Sequence, residues 1–156
     1  MKRILFLILM LTGSIVARSQ DTLWLNDLAK ATEIAQKENK KVMLFFTGSD
    51  WCGWCVRLQN EVFKKEEFIN WAKEHVVLVE LDFPRNKQLE PNIAAQNNQL
   101  QQMFGIRGYP TVWFVNSSIT DGKINLEKLG STGYVAGGPT AWLQGAESII
   151  HPVKTE

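Results

Sequence analysis

Apolar and polar residues fall into different rhythms along the chain, and each rhythm predicts an element. Leu28, Ala31 and Ala35 recur at the spacing of one helix face, with Asn26 or Asp27 as the cap, so a helix is predicted to about Glu38. Val42-Met43-Leu44-Phe45-Phe46 is apolar without alternation, which suits a strand buried on both faces. Thr47 to Asp50 is loop chemistry, followed by helical stretches predicted from Gly53 to Lys64 and from Lys65 to Lys73. Val76 to Asp82 is a second buried-strand pattern, rich in β-branched residues. Phe83 to Asn97 holds Pro84, Pro91 and many amides and reads as an irregular excursion, with a short helix from Gln99 to Phe104 behind it. Thr111 to Val115 and Leu126 to Gly130 read as strands, with Asp121-Gly122 as a hairpin turn between them. A closing helix is predicted from Pro139 to Ile150.

The first residues read differently. Lys2 and Arg3 precede an unbroken apolar run from Ile4 to Leu11, and Ala17-Arg18-Ser19 is a small-x-small pattern. Residues 1–19 are therefore expected to be a signal peptide cut after Ser19, because the run is shorter than the ~20 residues a membrane span needs. Residues 20–156 are then one domain, expected in the periplasm or secreted, where disulfides persist.

Composition narrows the function classes. Of 156 residues, 45% are hydrophobic and 21% charged, an ordinary globular balance. The formal charge is +1, so no basic field calls for nucleic acid. Loss of residues 1–19 removes three cations and no acid, leaving −2.

The chain has two cysteines, in Trp51-Cys52-Gly53-Trp54-Cys55, between a buried strand and a helix. Such a pair can be half of a zinc site, a structural loop closure or a redox couple. The other half of a zinc site is missing, since only His75 and His151 remain and they lack paired spacing. A structural bridge this short closes a small loop and restrains little chain entropy. Redox chemistry fits best. At a helix start, free backbone N–H groups favour a thiolate on Cys52, and Cys55, one turn deeper, can resolve a mixed disulfide formed there.

Trp-Cys-Gly-Trp-Cys after an apolar strand resembles the active-site motif of the thioredoxin superfamily. Gly105-Ile106-Arg107-Gly108-Tyr109-Pro110-Thr111 resembles the family segment that carries a cis-proline facing the cysteines. The likeness covers roughly Leu25 to Ile150 and is similar to small secreted bacterial proteins of that family. It implies an α/β thioredoxin-like fold, a central mixed sheet flanked by helices. It also implies exchange of disulfides with protein or peptide thiols, with Cys52 as nucleophile and Cys55 as resolving thiol. Trp51, Gly53, Trp54, Tyr109 and Pro110 would hold the substrate strand.

No metal or organic cofactor is implied, and a monomer is expected. The direction of exchange, as reductase, oxidase or isomerase, stays open: a reductase outside the cytoplasm would draw on a membrane electron donor, and an oxidase would need an oxidant. The alternatives are a thioredoxin-like peptide-binding module, or a carrier dedicated to one partner. One departure concerns protons: the family's buried acid falls at about Phe45, which leaves Glu80 or Asp50 as the candidate relay.

Overall fold

A computed structural model describes residues 23–152; the expected signal segment and its cut after Ser19 lie outside the described residues. The elements run β1 (Trp24–Leu25), α1 (Leu28–Glu38), β2 (Lys41–Thr47) and α2 (Gly53–Leu58). A π-helical turn (Gln59–Phe63) prolongs α2 and leads to α3 (Glu66–His75) and β3 (Val76–Asp82). Then come α4 (Pro91–Met103), β4 (Thr111–Thr120), β5 (Lys123–Thr132) and α5 (Gly138–Ile150). One sheet has the order β1-β3-β2-β4-β5. β1, β3 and β2 are parallel, and β4 and β5 join antiparallel. This is the mixed central sheet flanked by helices that the family resemblance implies.

Both faces of the sheet are covered, which is why β2 and β3 read as continuous apolar runs. Met43, Phe45, Leu78 and Phe114 point to the side of α2, α3 and α5, where they meet Leu58, Phe63, Phe68 and Trp142. Val42, Leu44, Phe46, Val77, Val79 and Leu81 point to the opposite side, against Leu28, Ala31, Ala35 of α1 and Leu100 of α4. Trp142 is the hub of the first layer. Its ring lies edge-on to Phe63 at 5.2 Å and to Phe68 at 5.7 Å, and its indole N–H donates to the Gly133 carbonyl at 3.0 Å.

Local chemistry sets most element ends. The Asp27 carboxylate caps α1 by accepting from the Ala29 and Lys30 amides at 2.8 and 3.1 Å, and Asn39 closes it in a left-handed conformation. Asp121 and Gly122 both have positive φ, 51° and 72°, the two-residue turn that suits strand twist.

Four elements differ from expectation. α4 starts at Pro91 rather than near Gln99, so the second half of the supposed excursion is helical. Its face is amide-rich, which blunts the apolar period, but Pro91 at the first turn starts a helix well. The irregular part shrinks to residues 83–90. β4 and β5 are each ten residues long, because the ladder runs on through the polar stretch from Asn116 to Ser118, where no apolar pattern marks a strand. β1 is a two-residue edge strand that the pattern missed.

Trp142 joins α5 to both α3 and the π turn, so Trp142→Ala should lower unfolding free energy by about 3–5 kcal/mol. Urea unfolding followed by circular dichroism checks this; a loss below about 1 kcal/mol would mean that the aromatic layer does not tie these elements together.

Candidate active site

β2 delivers the chain to the site. Past Thr47 the backbone turns at Gly48, whose carbonyl accepts from the Trp51 and Cys52 amides at 3.2 and 2.8 Å. A Cβ on Gly48 would lie 2.3 Å from the Trp51 ring, so the missing side chain is what lets the indole lie across the turn. Cys52 then caps α2 in an extended conformation. Its carbonyl accepts from the Cys55 and Val56 amides, both at 3.1 Å, and its Sγ accepts from the Cys55 amide at 3.2 Å. Cys52 and Cys55 are joined as a disulfide with Cα atoms 5.3 Å apart. Cys52 is 6% exposed and Cys55 is fully buried, so the two sulfurs differ in access.

The register of β2 with β4 brings the second motif to the same place. Phe46 pairs with Thr111, so the residues just before β4 lie beside those just after β2. The Tyr109–Pro110 bond there is cis. The Tyr109 ring meets Trp51 edge-on at 5.6 Å and Phe83 at 5.4 Å, and its hydroxyl pairs with Gln101. Burial pushes its phenol up, opposed by that hydrogen bond.

Residues 83–90 clamp the turn before Cys52. The buried Asp82 carboxylate accepts from the Ser49 amide at 2.8 Å and the Ser49 hydroxyl at 2.6 Å, and pairs with Lys87 at 2.9 Å. The Asp50 carboxylate accepts from the Arg85 amide at 3.0 Å and the Asn86 amide at 2.7 Å. The Trp51 indole N–H donates to the Phe83 carbonyl at 2.8 Å. Sequence reasoning missed Ser49, Asp82, Arg85 and Lys87. The contacts of Ser49 with Asp82 and of Asp50 with Arg85 join positions more than thirty residues apart, and nothing local signals them.

The two relay candidates separate. Backbone hydrogen bonds, that from Arg85 foremost, hold the Asp50 carboxyl below its usual range. That exposed carboxylate latches two backbone amides of the 83–90 segment. Glu80 behaves oppositely. It pairs with Phe45 in the β2–β3 register, so side-chain alternation puts it on the cysteine side of the sheet, one strand over from the position where the family carries its acid. Half-buried there, it has its carboxyl pushed up by burial first and by the charge of Asp82 second, with Lys87 opposing.

The remaining candidates divide in the same way. Trp54 is 55% exposed and Trp51 is half-buried. Trp54 packs on Tyr134 at 5.1 Å. Gly53 has nothing within 4 Å of a Cβ position and faces solvent. His75 and His151 sit together at the opposite end of β3, each 3.8 Å from Glu147, away from the sulfurs.

A helix-capping Cys-x-x-Cys disulfide beside a cis-proline, on a mixed sheet of this order, defines a disulfide oxidoreductase with the thioredoxin fold. The thioredoxin-like domain family model matches residues 28–137, and the chain belongs to that family. It is 31% identical over 122 residues to the disulfide bond reductase DsbH of Chlamydia pneumoniae, covering 78% of this chain and 69% of that protein. It is 25% identical over 138 residues to the thioredoxin-related protein DsbJ of the same organism, covering 88% of this chain but 37% of that one. The solved structure titled DsbH oxidoreductase superposes with a TM-score of 0.71 at 27% identity, covering 90% of this chain and 96% of that one. The protein is accordingly a thiol-disulfide oxidoreductase of the thioredoxin-like family.

The raised carboxyl of Glu80 makes a signed prediction. Its ionised form is less favourable in the folded chain than in the unfolded one, so its contribution is best below the unfolded value and is lost as pH rises through the folded value. Glu80→Gln removes that loss. The variant should gain stability over the wild type as pH goes from about 4 to about 8, read from urea midpoints. A difference constant across that range would mean that Glu80 is not perturbed.

Proposed function

We propose that the protein reduces protein disulfides outside the cytoplasm, with Cys52 attacking and Cys55 resolving. The observation that carries this reading is the unequal placement of the two sulfurs: Cys52 caps the helix and receives an amide hydrogen bond, whereas Cys55 is wholly buried behind it. The direction is supported by the likeness to a protein named as a disulfide bond reductase.

In the reduced protein the Cys52 thiolate attacks one sulfur of a substrate disulfide. A mixed disulfide forms, and the other substrate sulfur leaves as a thiolate that takes a proton from water. Cys55 loses its proton and attacks the Cys52 sulfur. The second substrate thiol departs, and the protein is left with the Cys52–Cys55 disulfide. Two electrons pass from the cysteine pair to the substrate. Glu80 accepts the Cys55 proton in this scheme: a carboxyl on the sheet face under α2, raised by burial, takes up a proton more readily than an exposed one. Trp51, Gly53 and Trp54 form the rim around Cys52, and Tyr109 with Pro110 offers backbone to an extended substrate segment. A dithiol donor in the membrane re-reduces the pair. Residues 1–19 act as the address that exports the chain, with cleavage after Ser19, and residues 20–156 act as one monomeric domain.

Two experiments test the roles. Alkylation of the reduced protein near neutral pH should label Cys52 much faster than Cys55; faster labelling of Cys55 would reverse the assignment. Cys55→Ser should accumulate mixed disulfides with partner proteins that collapse under reductant, since the sulfur that opens them is gone. Equal trapping by Cys52→Ser would sink the division of labour, and failure of the wild type to reduce insulin would sink the reductase reading.

A further inference from the structure

Trp51 precedes the first cysteine and Trp54 lies between the two, and each carries a guanidinium over its ring. On one side the Arg57 guanidinium lies 5.2 Å from the Trp54 ring and 5.2 Å from the Tyr134 ring. It is neutralised there, for its Nε donates to Glu61 Oε1 at 2.7 Å, and Glu61 also accepts from the Tyr134 hydroxyl at 2.5 Å. On the other side the Arg85 guanidinium lies 3.9 Å from the Trp51 ring centre, in the residue before Cys52. Among the described residues it has no carboxylate within ion-pair distance, and none of its N–H edges donates a hydrogen bond.

The nearby acids are committed elsewhere. Asp50 holds the backbone amides of Arg85 and Asn86, and Asp82 holds Ser49 and Lys87. Those bonds fix where Arg85 stands without using its side chain. Trp51 is fixed in turn by its bond to Phe83 and its contact with Tyr109. A guanidinium held over an indole ring keeps free N–H edges, where a carboxylate binds in two parallel hydrogen bonds. Arg85 is exposed, so that edge is open to an incoming chain.

We propose that Arg85 determines specificity, favouring disulfide substrates that carry an acidic side chain within two residues of the reacting cysteine. The inference rests on Cys52 being the attacking sulfur, because Arg85 reaches the substrate through the wall formed by the preceding Trp51. The contrast between the two walls makes it specific: the Trp54 side offers an apolar surface with an internally paired charge, and the Trp51 side offers an unpaired cation.

The test uses the reduced full chain as sole reductant and two synthetic peptides, each a disulfide-linked dimer. The peptides are identical except for Glu or Lys on both sides of the cysteine. Second-order rates of thiol release are measured, each divided by the rate of the same peptide with dithiothreitol to remove the peptide's own reactivity. The wild type should favour the Glu peptide by about two- to five-fold, the range of one exposed charge pair. The preference should shrink toward one at about 0.5 M salt. Arg85→Gln should bring the ratio to about one, Arg85→Glu should take it below one, and Arg85→Lys should restore part of it. A ratio of one in the wild type, or an unchanged ratio in Arg85→Gln, overturns the inference while leaving disulfide reduction standing. No thiol release from either peptide overturns the reductase reading and this inference with it.

Discussion

Six consecutive residues of β2, Val42 to Thr47, are buried, and the strand is paired on both edges, parallel to β3 and antiparallel to β4. Everything at the site is placed by that double pairing. The parallel partner ends at Asp82 opposite Thr47, so the segment after β3 emerges beside the turn that leads to Cys52. The antiparallel partner starts at Thr111 opposite Phe46, so the cis Tyr109–Pro110 bond emerges there too. A one-residue slip of either register would turn every side chain of β2 to the wrong face and separate the three segments. Because β2 is apolar on both faces, it is the fit of its individual side chains into the two different cores that opposes such a slip.

The turn between β2 and α2 has its own constraint. Short irregular backbone beside a buried core must find hydrogen-bond partners for its amides. Here the Gly48 carbonyl serves the Trp51 and Cys52 amides, and further bonds come from the end of β3 and the segment after it. Asp82 holds Ser49, Asp50 holds the backbone of Arg85 and Asn86, and Phe83 receives the Trp51 indole. These bonds place Trp51 and Cys52 without relying on the disulfide, so the frame around the sulfurs does not depend on the bond that the chemistry breaks. The Thr47 hydroxyl at the end of β2 is buried without a partner, outside this network.

The electrostatics of the site follow from where carboxylates are spent. Asp50 accepts from the Arg85 and Asn86 amides, and Asp82 accepts from Ser49 and pairs with Lys87, so both carboxylates are engaged within the protein. Glu80, one strand from the family's usual position and facing Phe45, is the carboxyl that burial leaves poised to bind a proton. Phe45, its register partner, packs its ring on Trp24 and Phe63.

Local order along the chain was enough for the elements whose cause is local. The cap at Asp27, the two buried strands, the Asp121-Gly122 turn and the cysteine-capped helix each follow from a few neighbouring residues. So did the joint signal of Cys52-Gly53-Trp54-Cys55 and Gly108-Tyr109-Pro110-Thr111, which pointed to disulfide exchange. The length of the β4–β5 hairpin and the start of α4 were not legible, since polar residues there follow their neighbours in space rather than a period of their own. Nor did the sequence reveal that Asp50 is a latch, that Arg85 covers Trp51 or that Glu80 shares the face of Phe45. Those facts arise from pairings across thirty or more residues, and a side chain's charge says nothing of its partner until the sheet register has set which segments meet.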